Sequence, residues 1–172
     1  MLRKTIALVA PLLFLAACGN NNPASPSGGG GGGAAPTYTV TLLPSNEVPP
    51  VSNADSTGTG TAVITLNLTR DSAGTITAAT ADFQVTMSGY PDNTSLTGAH
   101  IHTGAAGANG AVVVSLGVTA GSVTLAGGAG NFSRTGITVD PTLAQAIVAN
   151  PAAYYFNVHT SLNPSGAARG QL

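Results

Sequence analysis

Alternation of apolar and polar residues with a period of two is the feature that most constrains what this chain can fold into. Residues 62–68 carry an apolar side chain at every even position, and residues 38–42 and 83–87 repeat the pattern at every second position. Successive side chains of a β-strand point to opposite faces, so each segment predicts a strand with one buried face. The Asp-Ser-Ala-Gly segment at 71–74 predicts a hairpin turn, because Asp and Gly supply the turn dihedrals.

Further segments of the chain predict short strands and one helix. The strands are expected at 75–87, 96–102, 112–116, 122–125, 136–139 and 154–160. Asp140 can cap a helix that starts at Pro141 and ends before Pro151. Short strands separated by turns indicate an all-β fold: an antiparallel Greek-key sandwich or barrel with one short helix near 140–150.

Residues 1–17 are predicted to be a lipoprotein signal peptide. Two basic residues precede an apolar run at 6–17, which is too short to span a bilayer, since a helix needs about 20 residues. The run ends in Leu-Ala-Ala-Cys-Gly, which resembles a lipobox. The alternative is an ordinary secretory signal with a stray cysteine, but Cys18 is the only cysteine of the 172 residues and stands where the motif needs it.

Lipidation of Cys18 would anchor the mature chain to a membrane through its acyl groups. Residues 18–36 contain three Asn, three Pro and six consecutive Gly, so they are expected to form a disordered tether. The predicted location is extracytoplasmic on a bacterial membrane. In a cell with two membranes, Gly19 is compatible with the outer one by the sorting rule of lipoproteins.

Residues 37–172 have the size of a single domain and carry little charge. After signal cleavage three arginines stand against six acids, so no basic patch exists. That argues against nucleic acid or an acidic lipid surface as a partner. The expected partners are the membrane, through the lipid anchor, and a protein or small ligand that the sequence does not identify; nor does it assign an oligomeric state.

The three histidines all lie in predicted strands. His100 and His102 share a face, and His159 lies on the face opposite Phe156 and Val158. If the two strands are neighbours, three imidazoles converge, which suits zinc or copper with a fourth position open to water. The alternative is three surface or turn histidines bonded to backbone or threonine hydroxyls, since neither a cysteine nor a nearby acid supports a metal.

Two other features have mundane interpretations. The glycines of 104–110 would need a following helix to cradle a phosphate, but a strand is predicted there, so we expect a connecting loop. Glu47 and Arg169 could form an exposed pair of little energetic weight, or a buried pair that pins the two chain ends together. No serine stands in a nucleophile-elbow context, so no catalytic residue is assigned.

Five segments in order resemble the CHRD domain, a family named for the extracellular protein chordin. They are Asn-Glu-Val-Pro-Pro-Val at 46–51, Gly-Ala-His-Ile-His-Thr-Gly at 98–104, Gly-Ala-Asn-Gly at 107–110, Tyr-Phe-Asn-Val-His-Thr at 155–160 and Gly-Ala-Ala-Arg-Gly-Gln-Leu at 166–172. The resemblance, to bacterial CHRD lipoproteins in particular, implies an all-β extracellular domain over 37–172, and it implies no activity. One small departure is Ala167-Ala168, where the family usually has an acidic or bulkier residue before Arg-Gly. The chain also resembles copper/zinc superoxide dismutase more weakly, but it lacks that family's further metal ligands and its disulfide cysteines.

The sequence therefore predicts a non-catalytic, lipid-anchored β-domain for binding or envelope structure. The alternative is a copper- or zinc-binding protein that uses His100, His102 and His159. A metal-dependent enzyme at the same site is a third hypothesis. No cofactor is assigned beyond that copper or zinc.

Overall fold

The computed structural model describes residues 34–172, so the predicted signal peptide, Cys18 and most of the predicted tether lie outside the described residues. The strands are β1 Thr37–Leu42, β2 Thr59–Arg70, β3 Ile76–Ser88, β4 Thr94–Thr103, β5 Val112–Ser115, β6 Thr124–Leu125, β7 Gly130–Val139, β8 Tyr154–Thr160 and β9 Ala168–Gln171, and the helix is α1 Pro141–Ala149. Within this range no helix is long and apolar enough to cross a membrane.

Two antiparallel sheets pack face to face. The first sheet has the order β1-β2-β3-β7, and the second has the order β5-β4-β8-β9, with β6 paired to the start of β4. The core lies between them, where the rings of Phe83 and Phe156 stack with centroids 5.8 Å apart. The bridge from Leu43 to Arg169 joins one edge of each sheet. The all-β antiparallel sandwich is confirmed, and the sheets do not close into a barrel.

The first sheet follows the predicted alternation. Ala62, Ile64 and Leu66 are fully buried, while odd-numbered residues of β2 face away from the core. The predicted hairpin between β2 and β3 is present: Asp71 accepts hydrogen bonds from the backbone N–H of Ala73 and Thr75, both at 2.9 Å. Gly74 completes the turn with a φ of +84°, a conformation that favours glycine.

The predicted helix is also confirmed. The Asp140 carboxylate accepts hydrogen bonds from the backbone N–H of Thr142 at 2.8 Å and of Leu143 at 3.1 Å, as an N-cap does. Ala144 and Ile147 are fully buried where α1 packs against β3.

The second sheet is buried on both faces. Phe156 and Val158 of β8 face the core, yet Tyr155, Asn157 and His159 on the other side are also buried. Segments 43–53, 104–111 and 161–167 lie over this outer side and bond to it. We call this side of the second sheet the covered face; its members are His100, His102, Tyr155, Asn157, His159 and Arg169.

Two strands depart most from the predictions. β7 begins at Gly130, six residues before the predicted start, and β9 was not predicted at all. Both are edge strands of their sheets. β7 alternates weakly because it is only partly buried, and β9 is too short, with Ala-Arg-Gly-Gln, to show a period.

Candidate metal centre

The three histidines lie together on the covered face. β4 and β8 are antiparallel neighbours, with His102 opposite Tyr155 and Gly98 opposite His159. The candidate ligand nitrogens of His100, His102 and His159 all lie within 4.8 Å of one another. The convergence predicted from strand period and strand adjacency is therefore present.

Backbone carbonyls fix the orientation of two of the rings. His102 Nδ1 lies 3.0 Å from the carbonyl of Gly110, and His159 Nδ1 lies 2.9 Å from that of Pro164. A carbonyl only accepts, so each Nδ1 carries the hydrogen and each neutral ring presents a bare Nε2. Metal-binding histidines use this same arrangement to orient the ring and define the tautomer.

The two Nε2 atoms without a hydrogen differ in their surroundings. His159 Nε2 lies 3.0 Å from His100 Nδ1, which can donate to it. His102 Nε2 is buried and has no hydrogen-bond partner among the described residues. A buried acceptor without a partner is costly and calls for an explanation such as an ion.

Gly98 makes room for the imidazoles. A Cβ at this position would lie 2.8 Å from His100 Cε1 and 3.2 Å from His159 Cδ2. The close approach of the two rings therefore depends on glycine opposite His159.

The cluster is mostly enclosed by the surrounding residues. His102 and His159 are 8% and 9% exposed, whereas His100 is half-buried. Burial, together with the neighbouring His159 and His102, lowers the pKa of His100 to about 4. Burial also lowers the pKa of His159, against a smaller opposing effect of its bond to Pro164. Neutral imidazoles are the form that binds metal. The alternative of non-metal histidines is met in one respect, since His102 and His159 bond to backbone carbonyls, but both rings are buried and not at the surface.

A stack of three side chains extends from the histidines across the sheet. The ring of Tyr155 is parallel to that of His102, with an interplanar angle of 8° and centroids 4.8 Å apart. The Arg169 guanidinium lies 4.5 Å from the Tyr155 centroid on a cation–π contact. This stack links the histidine cluster to the Glu47 region.

Glu47 and Arg169 form a buried pair, so the expectation of exposed pairing is wrong and the buried alternative describes the structure. Arg169 Nε lies 3.8 Å from Glu47 Oε2, and the two side chains are 4% and 6% exposed. Arg169 also donates to the carbonyls of Asn46 at 2.6 Å and Ala108 at 3.1 Å. The pair is buried and not exposed because segments 43–53 and 104–111 cover this edge of the second sheet. Together with the bridge from Leu43 to Arg169, the pair holds the two ends of the domain together.

The Glu47 carboxyl titrates abnormally. Burial raises its pKa to about 7, against smaller opposing effects of the Arg169 charge and a hydrogen bond from Asn157. Glu47 Oε1 and Arg169 Nη2 are both buried, and neither has a hydrogen-bond partner within residues 34–172.

Several residues of this region were not singled out in the sequence. Asn157 and Tyr155 lie two and four residues before His159, so the same strand period that placed His159 also places them on its face. Asp55 gave no local signal: it is fully buried in segment 54–57 and accepts hydrogen bonds from Thr160 and Asn163, both at 2.6 Å. Only the tertiary structure brings it to the loop after β8.

The glycine segment 104–110 is the connection between β4 and β5, as predicted, and no helix follows it. A Cβ at Gly110 would collide with the backbone of Thr103, so the loop returns tightly along the end of β4. Its contribution to the site is the Gly110 carbonyl that orients His102.

Comparison with known proteins gives one match. A search of curated proteins and a search of solved structures find nothing similar to this chain. The family model of the CHRD domain matches residues 38–172, which is most of the chain and contains every residue of the site. The chain therefore belongs to the CHRD domain family.

Proposed function

We propose that this protein is a lipid-anchored, extracytoplasmic domain that binds a copper or zinc ion through His100, His102 and His159. The observation that carries the proposal is a pair of buried imidazoles whose Nδ1 hydrogens are committed to carbonyls, which leaves both Nε2 atoms bare and close to a third histidine. Such preorganisation has no evident role in stability, because it leaves a buried acceptor of His102 unpartnered.

The donor set supports copper or zinc among the biological metals. Imidazole nitrogen suits both, whereas calcium and magnesium take oxygen ligands. The half-buried side chain of His100 leaves a route for the ion from solvent. If the cluster takes no metal, the domain is a binding or envelope-structure module whose ligand is unidentified.

A thermal melt of the protein with and without Cu²⁺ and Zn²⁺ tests the metal site. A metal that binds only the folded state stabilises it by about 2.7 kcal/mol at a hundredfold excess over Kd, so the melting temperature should rise. His102→Ala should abolish most of that rise, because it removes one of the two preoriented ligands. No shift in the wild type, or an equal shift in the variant, would leave the binding-module function instead.

Membrane fractionation with labelled palmitate tests the anchor. Cys18→Ala should yield an uncleaved or soluble protein without label, since Cys18 is the only cysteine of the chain. Label that persists in the variant would contradict lipidation at Cys18. This test is independent of the metal site, which lies in the domain.

A further inference from the structure

Asn157 occupies the middle of the covered face. It stands directly opposite His100 in the register of β4 and β8, and it is 1% exposed. Its Oδ1 lies 3.1 Å from His159 Nε2, the bare nitrogen of that ring.

The amide of Asn157 presents its oxygen, and not its nitrogen, to His159. An amide oxygen only accepts hydrogen bonds, so it has no hydrogen to donate to the imidazole.

This orientation sets two acceptors against each other. The hydrogen of His159 is on Nδ1, bonded to Pro164, so Nε2 of the neutral ring has a lone pair. Oδ1 of Asn157 also has only lone pairs to offer. Since His100 Nδ1 can supply one hydrogen to Nε2 but none to the amide, the contact at 3.1 Å between Oδ1 and Nε2 has no hydrogen in it.

A cation placed between the two atoms turns this unfavourable contact into coordination by both. Building on the proposed function, we infer that Asn157 Oδ1 is the fourth ligand of the metal ion, beside one nitrogen from each of His100, His102 and His159. The protein then supplies all four donors of a four-coordinate site, as structural zinc sites do, and no position remains for water.

The fourth donor also limits which metal ions fit the site. A carboxamide oxygen is a hard ligand, and among the described residues the cluster contains no cysteine thiolate to favour monovalent copper. The geometry therefore points to a divalent ion, Zn²⁺ or Cu²⁺, held for storage or stability rather than for activating water.

Cobalt substitution tests this coordination. Co²⁺ is a spectroscopic probe for such sites, because its visible absorption is strong in four-coordinate complexes and weak in six-coordinate ones. We expect the Co²⁺-loaded wild-type protein to show the strong bands and to leave them unchanged on addition of azide, because no exchangeable ligand is present.

Three variants complete the test. In Asn157→Ala a water should take the fourth position, so azide should change the spectrum and the Kd for Zn²⁺ should rise at least tenfold. Asn157→Asp keeps an oxygen donor and should remain unresponsive to azide. Asn67→Ala removes an exposed asparagine of the first sheet and should behave as the wild type.

The outcomes separate the two proposals. A wild type that binds neither Co²⁺ nor Zn²⁺ overturns the metal-binding function itself. A wild type that binds Co²⁺ but responds to azide, or a folded Asn157→Ala protein that stays unresponsive, overturns only the role of Asn157. The azide response of the wild type is decisive even if Asn157→Ala does not fold, with Asn157→Asp as the folded comparison.

Discussion

The outer face of the first sheet is open to solvent, whereas the outer face of the second sheet is covered by three irregular segments. On the first sheet this face presents exposed threonines such as Thr39, Thr61 and Thr86. On the second it presents buried histidines, Asn157 and Arg169. The inner faces of both sheets contribute apolar side chains to one core, so the two sheets differ mainly at their outer faces.

This difference separates stability from function. A threonine-rich exposed face satisfies its hydroxyls with water and fits a pleated surface, so it needs nothing further. Buried polar groups lose solvation, and each must be compensated by a hydrogen bond, a charge or an ion. Within residues 34–172, the covered face leaves His102 Nε2 and Arg169 Nη2 unpartnered, and the segment over it leaves Glu47 Oε1 unpartnered. A fold that needed only stability would gain from apolar residues there.

The largest contrast is expected between two arginines. Arg169→Ala should lower the free energy of unfolding by about 3–5 kcal/mol, because it leaves the Glu47 carboxyl buried without its cation. It also removes the cation–π contact on Tyr155 and the donors to Asn46 and Ala108.

Arg70→Ala is the matched control on the first sheet. Arg70 is exposed and donates only to the Gly74 carbonyl, so its loss should change stability by no more than about 0.5 kcal/mol. Urea unfolding of both variants measures the contrast. Similar losses of unfolding free energy in the two variants would mean that the covered face contributes no more to stability than the exposed face of the first sheet.

The alternation in the sequence predicted one face of each sheet well. In residues 62–68 and 83–87 apolar and polar side chains alternate regularly, because one side of each strand packs in the core and the other side is in contact with water. For 154–160 the same period separated His159 from Phe156 and Val158 correctly. What it could not reveal is that both sides of β8 are buried, because burial of the second side depends on segments distant in the chain.

The part of the candidate site that depends on strand period and strand pairing could be predicted from the sequence. Three histidines in two strands predicted their convergence, and the pairing of β4 with β8 completed it. The carbonyls of Gly110 and Pro164 belong to loops with no periodic signal, so the tautomers could not be predicted. The burial of Glu47 likewise depends on Gly166, which approaches its carboxylate from the other end of the domain.

Two glycines give a second contrast between the sheets. A Cβ at Gly60 of β2 would lie 2.8 Å from the Thr86 carbonyl oxygen and 2.5 Å from Met87 Sδ. Backbone cannot yield easily, so Gly60→Ala should destabilise the fold by about 1–3 kcal/mol while leaving the metal-induced rise in melting temperature intact.

Gly98→Ala should do the opposite. Its Cβ would lie closest to Cε1 of the half-buried His100 ring, which can rotate away, and 3.2 Å from Cδ2 of His159, so the stability of the metal-free protein should change less than in Gly60→Ala. Displacement of the His100 ring should weaken metal binding at least tenfold, which reduces the stabilisation by metal by about 1.4 kcal/mol. Melts with and without Zn²⁺ measure both effects, and a Gly98→Ala protein with unchanged metal response would show that the rings need no such proximity.

The smallest expected effect is the dependence of wild-type stability on pH, because His100 on the covered face and Glu47 in the segment over it act in opposite directions. The pKa of His100 falls from 6.5 to about 4 on folding, so the unfolded chain binds more protons and the stability from this group is lost as pH falls from 6.5 towards 4. The pKa of Glu47 rises from 4.5 to about 7, so the stability from this group is lost as pH rises through 7. Between pH 4.5 and 6.5 the two slopes oppose each other, so the free energy of unfolding of the metal-free wild type, measured with urea, should change little with pH.

Two variants separate the two groups. In Glu47→Gln the free energy of unfolding should rise with pH over this range, and in His100→Gln it should fall. Parallel profiles in the two variants would mean that other groups govern the pH response and that these two do not titrate as their burial requires.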